Sequence, residues 1–541
     1  MKKYSKILVS VSVLIIAFAS CKKNYLDEKP YSSYTPLTLT DSLGFEASAV
    51  GLYNYESTIL TYSSAQGWPS VWQVGTDVAN ATANQQGIEV PYYNYAQLTS
   101  TDGAASYIWG KYYALINNAN IIVDGVESPS TTKIGQVGKN AFAAEAKFFR
   151  AYAYNNLATL FGKVPLIIHT ITAPKTDFVR ASLDAVNAQI VSDLTFAISN
   201  LADLSAGTGK LNSQGKPVGR ANKYMAMQLL AEVYLRMGKN DLAEQQAQAV
   251  INSGKFSLIK ARYGVRAGGA GDYYSDMFVY GNERRAQGNS EAIWVLEQEN
   301  PSTVVGGNTD AAQQRRVWGA AYYNISGLVI SDTLGGRSIG RLRLSNWVLY
   351  GLYPTGDMRN SQYSIRRRYY YNDVTKPATY GQQVPFTGPD TLYKICPSTT
   401  KWGAYDPNDV FGYAMIKDFM MMRLGETYLL LAEAQVKQGK TADAATSINV
   451  LRTRANAPQV TSDQMNLNFV LDERARELIG EENRRMTLMR TGTLVERSLR
   501  LNSNDVQHPT TGLAAKNLLL PIPLSEIQLN KDAVLEQNPG Y

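Results

Sequence analysis

Cysteine and histidine are nearly absent: the 541-residue chain holds two of each. That scarcity excludes a disulfide-stapled scaffold, and no Cys/His metal motif is present. Charge of one sign is not in excess either. The formal net charge is +7. Three of those charges, Lys2, Lys3 and Lys6, sit in an N-terminal segment that processing would remove, so no nucleic-acid footprint follows. Beyond that segment no apolar run is long enough to span a bilayer. Charged residues make up 18% and hydrophobic ones 45%, the balance of a globular chain with a large core.

The N-terminus has the parts of an export signal. The three lysines form its basic start, and Ile7 to Phe18 form an apolar stretch too short for a stable membrane span. Ala19, Ser20 and Cys21 follow. This ending resembles the lipobox of bacterial lipoproteins, with Phe18 where Leu is usual. The expectation is a signal peptide over residues 1–20 and acylation of Cys21, whose several acyl chains would anchor the protein firmly. Cys396 is then the one thiol left, and it reads as a small buried apolar residue.

Two distant segments share one spacing pattern: LAEVYLRMGKNDLA from Leu230 to Ala243, and LAEAQVKQGKTADA from Leu431 to Ala444. Both read as helix, glycine turn, helix. Gly238 and Gly439 stand where a left-handed C-cap is needed, and Ala243 and Ala444 allow close approach of the second helix. The spacing is that of tetratricopeptide-type helical pairs, which stack on their neighbours. Apolar periodicity predicts further helices at Asp41–Leu60, Ser106–Val126, Asn140–Leu160 and Ser182–Leu201. Glu and Arg at three- and four-residue spacing predict one long solvent-facing helix over Phe469–Leu494. The fold class is therefore mainly α. Helical repeats are expected over about 41–255 and 413–500, within one domain over 21–541.

From Phe256 to about Gly412 the period is lost and Gly, Tyr, Asn, Ser and Pro dominate. This reads as a large irregular excursion carrying functional loops. Tyrosine, at 35 residues against 14 Phe and 7 Trp, favours amphipathic stacking surfaces. Such surfaces suit a sugar ring, with its apolar C–H face and hydroxyl rim. Two aromatic clusters lie in expected loops: Trp68, Trp72, Tyr92, Tyr93 and Tyr95, and then Trp318, Tyr322 and Tyr323. Asp77, Asn80, Arg315 and Arg316 are nearby candidates for hydroxyl contacts.

Several motifs are decoys. Gly336-Arg337-Ser338-Ile339-Gly340 fits a nucleophile elbow, with Asp357 and His508 following in hydrolase order. It lies in a glycine-rich loop of a helical chain, without the strand and helix that the motif requires. Gly207-Thr208-Gly209-Lys210 lacks the spacing and the hydroxyl residue of a phosphate loop, and reads as a solvent loop. Arg366, Arg367 and Arg368 read as a solvated strand edge rather than a patch for an acidic glycan.

At many places the chain resembles the SusD/RagB-like outer-membrane nutrient-binding lipoproteins. The closing segment LLLPIPLSEIQLNKDAVLEQNPGY, residues 518–541, is similar to that family's C-terminal signature. CKKNYLDEKP at Cys21, IWGKYYALINNANIIVDGV at Ile108 and AEAKFFRAYAYNNLATLFGKVPLI at Ala144 follow the family order. So do MMRLGETYLLLAEAQVKQG at Met421 and LDERARELIGEENRRMTLMRTGTL at Leu471, although Met486 and Thr487 replace a more usual aromatic and aspartate. The resemblance implies a non-catalytic lipoprotein facing the cell exterior on the outer membrane. It would hand oligosaccharides to a partner SusC-like TonB-dependent transporter and bind no nucleic acid. It also implies a ligand site built as an arc of aromatics with a polar edge, drawn from an early loop and the central excursion, the regions of the two clusters. Some relatives handle peptides, so a RagB-like peptide binder is the alternative and a secreted hydrolase the remote one. No cofactor is called for, and a calcium ion is not derivable from scattered Asp and Asn residues.

Overall fold

A computed structural model describes residues 41–61, 68–82, 87–205, 209–305, 307, 312–403, 411 and 415–541. The signal segment, Cys21, and Gly207 and Thr208 of the solvent loop lie outside the described residues.

The first half is a run of antiparallel helices, α1 (Ser42–Thr61), α2 (Gly103–Glu127), α3 (Gln136–Phe161), α4 (Leu183–Asn200), α5 (Lys223–Arg236) and α6 (Asn240–Asn252). From α2 onward each packs on the next. Their starts follow local chemistry: Asp102 accepts from the Ala105 amide before α2, Ser182 from Ala185 before α4, and Asn222 from Tyr224 and Met225 before α5. All four helices expected from periodicity form, within a few residues of the expected bounds.

After the excursion the scaffold resumes with α7 (Leu424–Lys437) and α8 (Thr441–Arg454). The α7/α8 pair stacks directly on α5/α6, because α7 packs against α6. Ala231, Leu235, Ala243 and Ala247 share one core with Leu430, Leu431 and Ala434. The two matching segments are thus neighbours in space, and the small residues are what allow the close approach. Gly238 and Gly439 hold φ of +73° and +76°, the left-handed geometry expected at both helix ends.

The Arg-rich segment is not the single solvent-facing helix that its charge spacing predicts. It breaks into α9 (Leu467–Leu478), α10 (Arg484–Arg490) and α11 (Leu494–Asn502), at Gly480 and Gly492, both with positive φ. Its charges point inward. Glu477 is buried against Arg423 at 2.6 Å, Arg359 at 3.0 Å and Arg454. Glu473 holds Arg359 at 2.8 Å, Arg452 at 2.9 Å and Arg476 at 2.7 Å. Spacing of three and four marks which residues share a helix face. It does not say whether their partners lie along that helix or on other elements.

The excursion supplies most of the short strands: β2 (Ala292–Leu296), β3 (Leu342–Leu344), β4 (Ile365–Arg366) and β5 (Ser398–Thr399). With β1 (Ala79–Ala81) and β6 (Phe419–Arg423) they form three antiparallel pairs, β1–β3, β2–β6 and β4–β5. The excursion also packs its own core, in which Cys396 is buried beside Tyr322, Tyr369 and Ile395. Burial pushes the Cys396 thiol up to about 12, as an apolar role requires.

Candidate functional site

A recess of about 210 Å3 opens at the seam between the helical scaffold and the excursion. The scaffold contributes Tyr112 from α2, Tyr152, Asn155 and Asn156 from α3, Gln228 and Glu232 from α5, and Glu426 from α7. The β2–β6 pair contributes Trp294 and Met420 to Met422. Trp72, Trp318 and Trp402 close in from irregular segments and short helices, and Glu482, Met486 and Thr487 from the turn before α10 and from its start.

The wall is aromatic and held from behind. Trp294 makes edge contacts with Phe148 at 5.4 Å and Tyr152 at 5.3 Å between ring centroids. Trp402 donates its indole N–H to the Gly480 carbonyl. Polar groups are interleaved with the rings. Asn155 donates to Glu232 at 3.0 Å, and Gln228 to Glu426 at 2.9 Å. Arg474 bridges Glu426 and Glu482, each at 2.9 Å. Burial raises the Glu426 carboxyl despite Arg474. Burial would also raise Glu482, yet Arg474 and Arg484 together hold it below the ordinary glutamate value. The result is a cavity with ring faces for an apolar surface and with amides and carboxylates for hydroxyl groups.

Of the twelve residues expected at a ligand site, Trp72 and Trp318 meet in this recess, although they come from separate clusters. Most of the others are placed differently from the solvent-facing loops that the sequence suggests. Asp77 is fully buried, paired with Arg484 at 2.6 Å and Arg497 at 2.8 Å. Asn80 sits on β1 and donates to Asn502 at 2.8 Å. Tyr92 donates its hydroxyl to Asp102 at 2.7 Å, and Arg485 lies over its ring and reaches the Tyr95 hydroxyl. Tyr322 donates to the Gly336 carbonyl at 2.8 Å and stacks on Tyr369. Arg315 and Arg316 are buried, Tyr93 packs on His508, half-buried Trp68 packs on Tyr107, and half-buried Tyr323 packs edge-on against Tyr322. The physical reason is general. A tyrosine with its hydroxyl satisfied is as good a core residue as a binding one, so composition alone does not separate the two.

The sequence carries no signal that marks Trp294 or Trp402 as site residues. Trp294 lies in the apolar run AIWVL, which reads as core, and Trp402 stands alone among Gly, Tyr and Asp residues. Met486 and Thr487, where the chain departs from the resembling family, both line the recess.

The SusD family profile matches residues 342–541, and a second profile, described as starch-binding and associating with the outer membrane, matches residues 24–235. The chain belongs to the SusD/RagB-like family. Among curated relatives of this SusD-like chain, SusD-like protein P25 of Formosa agariphila is 25% identical over 100% of both chains. The starch-binding protein SusD of Bacteroides thetaiotaomicron is 25% identical over 74% of this chain and 72% of its own. Among solved structures, a laminarin binding SusD-like protein superposes with a TM-score of 0.66 at 24% identity, covering 92% of this chain and 99% of its own. A SusD homolog from Bacteroides thetaiotaomicron reaches a TM-score of 0.73 at 18% identity, covering 95% and 100%. These likenesses show that the helical scaffold with its excursion is the family fold. No helix among the described residues is long and apolar enough to cross a membrane.

The hydrolase-like motif of this SusD-like chain is occupied with structure. Ser338 is buried and donates to the Ala320 carbonyl, His508 meets the Thr82 carbonyl at 3.0 Å, and Asp357 is bound by Arg359. The three residues hold different partners. In the arginine triple, Arg366 lies on β4 and donates to the carbonyls of Leu334 and Thr333, while Arg368 is exposed.

Proposed function

We propose that the mature chain is a lipid-anchored outer-membrane protein that captures oligosaccharide without turning it over and passes it to a SusC-like TonB-dependent transporter. The observation that carries this reading is the recess, where Trp72 and Trp318 converge with Trp294 and Trp402 on a wall interleaved with amides and carboxylates. Stacking of a sugar's C–H face on an indole, with hydroxyls bonded to groups such as Glu232 and Asn156, suits that wall. The starch- and laminarin-binding names of its relatives point the same way. The export signal and Cys21 support the anchor, and the transporter role follows from the family.

The test uses the chain from Lys22 onward, in affinity electrophoresis and calorimetry against starch, laminarin and a panel of other polysaccharides. Trp72→Ala and Trp318→Ala are run beside it. Binding by the parent and its loss in variants that still melt cooperatively support the reading. Binding of peptides alone moves the protein to the peptide-capturing class, and hydrolysis above background refutes the non-catalytic role.

A further inference from the structure

None of the side chains lining the recess is exposed; each is buried or half-buried. A row of exposed rings would let a polymer lie across it and leave at both ends. A recess whose walls are withdrawn from the surface accepts only what enters it. Its size sets what that is. An apolar cavity of about 150 Å3 holds one benzene ring. At about 210 Å3 the recess has room for one pyranose with its hydroxyls.

The charges lining the recess narrow the chemistry further. The lining holds Glu232, Glu426, Glu481 and Glu482 with Arg474 and Arg490, and Lys401, Arg423 and Arg484 pair with Glu481 and Glu482 from behind the wall. Both lining arginines already face carboxylates, Arg474 at Glu426 and Glu482 and Arg490 at Glu433, 2.7 Å away. A uronate or sulfate entering this space would meet carboxylates and no lining cation that is not already held by one, in a poorly solvated setting. A neutral hydroxyl instead finds acceptors, such as the half-buried Glu232 carboxylate.

We propose that the recess receives the terminal unit of a neutral glycan end-on, so that the protein recognises chain ends rather than chain interiors. The inference rests on the glycan-capture reading and adds which part of the chain is held.

The test is calorimetry of the chain from Lys22 onward with laminari-, malto- and cello-oligosaccharides of increasing length and with polygalacturonate. For the series that binds, the expected result is an affinity that stays within about threefold from disaccharide to hexasaccharide. One protein is bound per polysaccharide chain whatever its length, and polygalacturonate is silent. Met421→Trp, which places a bulky ring into the recess from β6, is expected to abolish binding with the melting transition retained. Tyr350→Ala, at a side chain that is 71% exposed outside the recess, should leave binding intact. An affinity that climbs about tenfold or more with length overturns the proposal. So does protein bound in proportion to polymer length, binding of polygalacturonate, or loss of binding in Tyr350→Ala but not in Met421→Trp. If Met421→Trp does not fold, the length series and stoichiometry decide alone. No binding to any glycan overturns the capture reading itself, whereas length-dependent binding overturns only the end-on inference.

Discussion

Glu477→Gln should be among the most destabilising single substitutions in the scaffold. The carboxylate is fully buried and shared by three guanidiniums, those of Arg423, Arg359 and Arg454, which come from β6, from the excursion and from α8. Gln keeps the shape and one acceptor oxygen. Its amide, however, turns an N–H toward an N–H, and the three positive charges keep only Glu291, Glu473, Glu481 and Asp357 for compensation. Removing one member of a buried ion network costs about 3–5 kcal/mol. For a chain of this length, with an unfolding entropy of about 2.1 cal/mol/K per residue, that lowers Tm by roughly 3–4 °C if the chain unfolds as a unit. Calorimetric scans across pH give the second reading. Burial alone would raise the Glu477 carboxyl, but Arg454, Arg423 and Arg359 hold it well below the ordinary glutamate value. A depressed carboxylate stabilises the fold above its unfolded pKa of about 4.3 and loses that contribution as pH falls toward its folded value. The gap between parent and variant should therefore be constant from neutral pH down to about pH 5.5 and should narrow below about 4.5. A cost under about 1 kcal/mol, or a gap that is unchanged in acid, would refute the reasoning that this network clamps the excursion to the scaffold.

Glu56 behaves oppositely. Burial pushes its carboxyl up to about 8, so the folded chain keeps a proton that the unfolded chain releases, and stability falls as pH rises from about 4.3 toward 8. Glu56→Gln removes that loss. Its stability should match the parent's at pH 4 and exceed it at pH 8 by about 4–5 kcal/mol, with a higher Tm, and parallel profiles would contradict the assignment. Gly439→Ala should cost only about 1–2 kcal/mol in urea melts, because φ is +76° but open space surrounds the position. Gly75→Ala should cost more, about 3 kcal/mol or above, because its Cβ would fall on the Tyr92 carbonyl oxygen; equal midpoints would rule out that clash. In the chain from Lys22 onward, the Cys396 thiol, buried and pushed up to about 12, should resist iodoacetamide at pH 8 while folded and take one equivalent after denaturation.

Several features are legible in the sequence because they are local. Gly238 and Gly439 end their helices in the left-handed conformation because a chain with that apolar spacing has few other ways to stop. The apolar character of Cys396 is legible from the scarcity of cysteine, which leaves Cys21 as the one other thiol in the sequence. The Arg-rich segment departs from its expected form because its information is non-local. Glu473 and Glu477 find arginines on β6, on α8 and in the excursion, and charge periodicity is blind to partners on other elements. The aromatic clusters mislead for a similar reason. Tyr92, Tyr95 and Tyr322 carry the composition of a binding surface, yet their hydroxyls are satisfied internally and their rings close the core.

The helical class, the two matching helix pairs and the family are all determined at the level of sequence, because periodicity, caps and a long C-terminal signature are written in neighbouring residues. That Trp72, Trp294, Trp318 and Trp402 share one recess is decided only by the tertiary structure. These residues are separated by most of the chain and have no common spacing. They meet because α6 stacks on α7 and thereby folds the excursion back over the scaffold, and that return path is set by packing rather than by any local pattern.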